Sequence, residues 1–121
     1  MSQYAWYLLL GIVISIKLAS EYEPHWRIDV LDVGHGLAVV VEKDDKVLLY
    51  DTGKAWQSGS IAEQVVTPVL HQRGYESIDT LILSHSDNDH AGGRFFIEDA
   101  FSPQRKLSSQ FFIEYEPCTR G

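Results

Sequence analysis

An α/β fold is what the sequence predicts, and three observations predict it. Short runs rich in β-branched residues alternate with one amphipathic helical stripe. A mostly apolar run from Ile78 to Ser84 suits a buried central strand. A loop dense in His and Asp comes directly after that strand, and sites in α/β sheets form outside the carboxyl ends of strands.

The chain has 121 residues, enough for one domain. With 45% hydrophobic and 22% charged residues, it is globular rather than disordered. A formal net charge of -7 argues against gripping nucleic acid through a basic face. It leaves a nucleic-acid substrate open, because bound divalent cations reverse the local charge of an acidic site. Cys118 is the one cysteine, so there is no internal disulfide and no cysteine-rich zinc site.

Taken in order, Tyr4 to Ile16 is apolar apart from Gly11 and Ser15, and Lys17 is the first charge. A bilayer span needs about 20 apolar residues, so the run is borderline. No Lys or Arg precedes it and no clear cleavage site comes after it, which disfavours a signal peptide. Tyr4, Trp6 and Tyr7 resemble an interfacial aromatic belt, and Lys17 could snorkel. Residues 1–20 are therefore expected to form a transmembrane or anchoring helix, with a signal peptide or a soluble core helix as the alternatives. Lys17 and Arg27 weakly favour a cytoplasmic side for the chain beyond this helix. Residues 21–26, polar and containing Pro24, read as a linker.

Strands are expected at Arg27 to Val33, Leu37 to Glu42 and Lys46 to Tyr50, forming a meander at a sheet edge, with Asp44 and Asp45 in the last turn. Ser60 and Glu63 fit a capping box for a helix whose apolar stripe is Ile61, Val65, Val66, Val69 and Leu70. Pro68 should kink or restart that helix, and Gly74 should end it. After the strand at Ile78 come the His/Asp loop, a short helix up to Phe101, and a final strand from Ser109 to Tyr115.

The loop reads His85-Ser-Asp-Asn-Asp-His90-Ala-Gly-Gly93. In an extended segment, side chains two apart project the same way, so His85 and Asp87 can reach one ion. Asp89 and His90 lie past a bend and can face a second position. Imidazole with carboxylate suits Zn2+ or Mn2+. The plain alternative is a polar turn that caps a helix. His25 and His71 belong to no motif and are expected at the surface or satisfied locally.

These residues resemble a family. His-x-His-x-Asp-His after an apolar strand is the metallo-β-lactamase superfamily signature, here with Asp87 in place of the second His. Leu31-Asp-Val-Gly-His-Gly36, then Tyr50-Asp-Thr-Gly53, then Leu83-Ser-His-Ser-Asp-Asn-Asp-His-Ala-Gly-Gly93 look like the C-terminal domain of ComEC-type competence proteins, the membrane channel for DNA uptake. The resemblance covers roughly residues 26–101. It implies a divalent-metal nuclease or phosphodiesterase domain, suspected of degrading the strand that is not imported. On that resemblance, His85 and Asp87 would hold a first metal, and Asp89 and His90 a second, in an intact two-metal hydrolase. Asp89 would also be catalytic, and Asp51 would support the metal loop from behind. His35 stands where many relatives carry Gln and is not expected to be a ligand. Asp32 is read as a turn carboxylate.

The chain also departs from the family pattern. The superfamily's later ligands are a His, a bridging Asp and a last His. No His comes after His90, and Asp99 comes too soon to be the bridge. Residues 27–121 are thus expected to form the N-terminal half of a metallo-β-lactamase αββα fold, with one sheet face left apolar in water. The expectation is a fragment or truncated gene product with weak or no catalysis of its own. Its partners would be the membrane, DNA and the remainder of the channel protein. Its location would be the cell (inner) membrane, with the soluble part on the outer, periplasmic face as in the family. The alternatives are a non-catalytic membrane-anchored fragment, or another small hydrolase of the superfamily.

Overall fold

The computed structural model describes residues 3–20, 25–110 and 112–118. The first element is helix α1, Tyr4–Ser20, which buries none of its side chains. It has 17 residues, and among the described residues no helix is long and apolar enough to cross a membrane. Most of the linker expected at residues 21–26 lies outside the described residues.

The three expected strands form, with shifted ends: β1 is Trp26–Val30, β2 Val39–Lys43 and β3 Lys46–Tyr50. They make an antiparallel meander in which Ile28 pairs with Val41 and Val41 with Leu48. The turn between β2 and β3 puts Asp44 and Asp45 at positive φ, which Asp tolerates better than most residues. A two-residue ribbon comes next, β4 (Ala55–Trp56) with β5 (Gly59–Ser60).

The expected helix has two parts. The Ser60 hydroxyl accepts from the Glu63 N–H at 3.2 Å, the first half of the capping box. One π-helical turn, Ala62–Val66, comes first, and α2, Thr67–Gln72, restarts with Pro68 in its opening turn. Proline has no N–H to donate and is tolerated there. Gly74, at φ +84°, ends the helix with its N–H bonded to the His71 carbonyl.

Strand β6, Thr80–Leu83, lies between β3 and β7 (Arg105–Ser108), parallel to both. Helices α3 (Asn88–Ala91) and α4 (Arg94–Phe101) connect β6 to β7. The short β8, Glu116–Pro117, completes a six-stranded sheet in the order β1-β2-β3-β6-β7-β8. The final strand expected from Ser109 to Tyr115 is a correction. The pairing falls on either side of it, at Arg105–Ser108 and Glu116–Pro117. Alternation was a poor guide here: Ile113 is 93% exposed, while Phe112 and Tyr115, three positions apart, pack against the core.

One face of the sheet carries the core. Val40, Val47, Leu49, Leu81 and Leu83 are buried against Ala62, Val66, Leu70, Ile97 and Phe101. Side chains two apart on a strand share a face, so Trp26, Ile28 and Val30 lie opposite. They are 63%, 65% and 71% exposed. On the helix side of the edge, Arg73 lies 2.8 Å from Asp29 and 2.6 Å from Glu42. Burial pushes the Asp29 carboxyl up, but Arg73 and Arg27 outweigh it and hold the carboxyl below its ordinary range.

Candidate metal centre

Strand β6 delivers the loop to the carboxyl edge of the sheet. The Asp51 N–H bonds to the Ile82 carbonyl at 2.8 Å, so the end of β3 is locked beside the end of β6. At that point Asp51 takes φ +60° and is fully buried. A non-glycine residue in the left-handed region is strained, and such residues concentrate where the surroundings over-determine them. The surroundings of Asp51 do so. Its carboxylate accepts from the Ser84 N–H at 2.8 Å and from the Ser84 hydroxyl at 2.6 Å, and it lies 2.8 Å from His90 Nδ1. A carboxylate only accepts, so Nδ1 of His90 carries a hydrogen, and Nε2 is the nitrogen left facing Asp89.

Thr52 fixes the backbone of the same loop. Its N–H and hydroxyl both donate to the His90 carbonyl, at 2.7 and 3.0 Å, and its Oγ1 accepts from the Gly93 N–H at 3.0 Å. Asn88 braces the loop from the other side, donating to the Ala55 carbonyl at 2.8 Å. The segment after β1 closes in as well. The Leu37 N–H bonds to the Asp89 carbonyl at 3.2 Å, and a Cβ on Gly36 would lie 2.2 Å from that same oxygen.

The four loop residues come together as two pairs. His85 Nδ1 is 3.3 Å from Asp87 Oδ2, and His90 Nε2 is 3.6 Å from Asp89 Oδ2. Two donors each about 2.1 Å from one ion, at tetrahedral to octahedral angles, stand about 3–3.5 Å apart. Both pairs are therefore close to chelating separation, and their residue types fit a borderline divalent cation, although His85 Nδ1 here accepts from the Asp87 N–H at 3.3 Å and would have to release it to ligate. The two imidazole rings are 3.9 Å apart, so the pairs are neighbours. Among the described residues, no group of three or more His, Cys, Asp or Glu is arranged to hold one ion.

The remaining sequence candidates sit elsewhere. Asp32 accepts weakly from the Gly34 N–H at 3.4 Å, as a turn residue does, and His35 is exposed. His25 and His71 are exposed too, and the His71 ring tilts against Phe101. Three site residues escaped the sequence reading: Ser84, Thr52 and Asn88. The phrases Asp-Thr-Gly and Leu-Ser-His contain two of them, but their roles depend on β3 and β6 lying side by side.

The chain belongs to the metallo-beta-lactamase superfamily, whose sequence profile matches residues 31–108. Within that superfamily it is similar to a segment of competence proteins. It is 43% identical to Recombination protein 2 of Haemophilus influenzae, over 94% of this chain and 15% of that protein. It is 38% identical to Uncharacterized protein YcaI of Escherichia coli, over 92% of this chain and 15% of that one. Competence protein ComA of Neisseria gonorrhoeae is 36% identical over 71% of this chain and 12% of its own length. The chain thus spans less than a sixth of the length of these relatives.

Proposed function

We propose that this chain carries part of the metal-dependent phosphodiesterase or nuclease domain of a membrane DNA-uptake protein. The observation that carries the reading is the two His/Asp pairs close to chelating separation, with His90 oriented from behind by buried Asp51. The relatives' names, which speak of competence and recombination, support DNA as the substrate.

In this reading His85 and Asp87 hold one divalent ion, and Asp89 and His90 hold a second, either Zn2+ or Mn2+. When bound, such ions supply Lewis acidity toward a phosphoryl oxygen and counter-charge for the phosphodiester. Asp51 and Ser84 hold the His90 ring so that Nε2 points toward Asp89. Thr52 holds the backbone carbonyl of His90, which keeps the ring from swinging away. Asp89 is half-buried, and besides ligating it orients the attacking water by accepting its hydrogen bond. The acidic net charge is then no obstacle to a phosphodiester. We further propose that residues 1–20 anchor the chain at the cell membrane, that residues 21–26 link the anchor to the domain, and that residues 27–121 lie on the outer face with the rest of a channel protein as partner.

The test is turnover of bis(4-nitrophenyl) phosphate by the full chain with Zn2+ or Mn2+, beside His85→Asn and His90→Asn. Metal-dependent turnover lost in both variants supports the proposal; turnover unchanged in them sinks it. A second reading, a membrane-anchored piece without catalysis, is favoured by one observation. Each ion would receive two donors here, where catalytic zinc takes about three from the protein. Metal binding without turnover would select that reading.

A further inference from the structure

Arg94 opens helix α4 directly after the His/Asp loop, and its guanidinium lies against two aromatic rings. Its central carbon is 4.2 Å from the centre of the Phe95 ring and 4.3 Å from that of Phe112. Stacking of this kind orients the planar group and leaves its N–H edges to bind. Two carboxylates, Glu98 and Glu114, line the same cleft as Arg94, and both pair with groups other than Arg94. Glu98 accepts from the Tyr115 hydroxyl and lies 3.7 Å from Lys106 Nζ, and Glu114 lies 3.0 Å from the same nitrogen.

Arg94, Phe95 and Phe112 line two adjoining clefts. One, of about 400 Å³, runs along α4 to Tyr115. The other, of about 300 Å³, is completed by Ser86, Asn88 and Gly92 of the metal loop. The trio therefore bridges the metal loop to an open groove. Phe95 is 67% exposed, so much of its ring remains available after stacking on Arg94.

We propose that Arg94, Phe95 and Phe112 form a nucleotide subsite beside the metal loop, taking one phosphate and one base of single-stranded DNA. The Arg94 edge donates to the phosphate oxygens, a fork that suits tetrahedral anions. The base stacks on the open part of the Phe95 ring, a sequence-tolerant contact that needs an unpaired strand. Phe112, also against the guanidinium, helps hold it in place. This subsite rests on the phosphodiesterase reading, because it serves a strand whose neighbouring phosphate lies at the metal loop.

The test measures binding of a short fluorescein-labelled oligothymidine to the full chain by anisotropy, in EDTA so that metal plays no part. Arg94→Lys keeps the charge but loses the fork, and Phe95→Leu keeps an apolar side chain but loses the ring. Each should weaken binding about fivefold or more, with circular dichroism unchanged. Phe96→Leu, on the same helix but outside both clefts, should leave binding as it was. No binding by the unsubstituted chain, equal binding by both subsite variants, or equal affinity for the matching duplex would each overturn the subsite. Turnover of bis(4-nitrophenyl) phosphate, too small to need the subsite, reports separately on the phosphodiesterase reading. Loss of that reading with the binding pattern intact is thus distinguishable from loss of the subsite.

Discussion

The carboxylate of Asp51 lies 2.8 Å from Nδ1 of His90, across 39 residues of sequence, and is fully buried there. A carboxylate behind a ligating imidazole sets the tautomer and raises the basicity of the other nitrogen. Loss of such a partner typically costs about 10–100-fold in metal affinity. Asp51→Asn should therefore weaken Zn2+ binding by about that factor, read by competition against a chelating dye. It should also lower stability, because the amide brings a donor toward the Ser84 N–H or the His90 Nδ1–H. Equal zinc affinity in the variant would remove Asp51 from the centre.

Thr52 ties two parts of the loop to β3 through one hydroxyl, donating to the His90 carbonyl and accepting from Gly93. Thr52→Val keeps the shape and removes both bonds. It leaves buried polar backbone groups with fewer partners, at a cost of about 1–3 kcal/mol in urea unfolding. A variant as stable as the parent would mean that water replaces the hydroxyl.

Gly36, at φ +128°, sits where a Cβ would collide with the Asp89 carbonyl oxygen. Gly36→Ala must shift backbone on one side or the other. The expected loss is about 1–3 kcal/mol, or roughly 5 °C or more in Tm, with weaker metal binding. Gly34→Ala has a positive φ of 66° but nothing within 4 Å of the added carbon. Its effect on metal binding should be much smaller, and comparing the two separates backbone strain from the collision with Asp89.

Acid should loosen the sheet edge before the core. The pKa of Asp29 is held below its ordinary value by Arg73 and Arg27, against the effect of burial. A depressed carboxyl pKa contributes stability above the unfolded-state value and loses it as pH falls through the folded-state value. The loss from this group therefore falls below about pH 4. Asp29→Asn should flatten the stability curve in that window and leave the curve near neutrality lower but parallel. An unchanged acid limb would show that the pair with Arg73 adds nothing.

Helix α1 buries no side chain. Removing residues 1–20 should leave the Tm of the remaining domain within about 1 °C, since surface changes of this kind rarely exceed a few tenths of a kcal/mol. The same deletion should abolish sedimentation with lipid vesicles if the anchoring proposal holds. Vesicle binding that survives the deletion would place the membrane contact elsewhere.

Much of the fold was legible because local signals and tertiary outcome agreed. The β-branched run Val39 to Val41, the Asp44-Asp45 turn and the apolar strand before His85 each became what their pattern predicts. Pro68 restarted the helix because a missing N–H costs nothing in a first turn. The strand read over Ser109 to Tyr115 failed for a complementary reason. The alternating pair Ile113 and Tyr115 does not share an environment: Ile113 is 93% exposed, whereas Tyr115 packs on the core together with Phe112, three positions away.

The sequence by itself determined the α/β order, the place of the His/Asp loop after the central strand, and the four His and Asp side chains that are proposed to ligate metal. These are local properties, set by spacing and residue type within a few positions. Only the tertiary structure decided that Asp51 stands behind His90, that Ser84 and Thr52 brace the loop, and that Arg94 lies against both Phe95 and Phe112. Each joins segments distant in sequence, and each exists because β3 lies parallel beside β6 and α4 packs back over the sheet. No short-range pattern encodes such distances. They arise from which faces are buried together, and burial is a property of the whole chain.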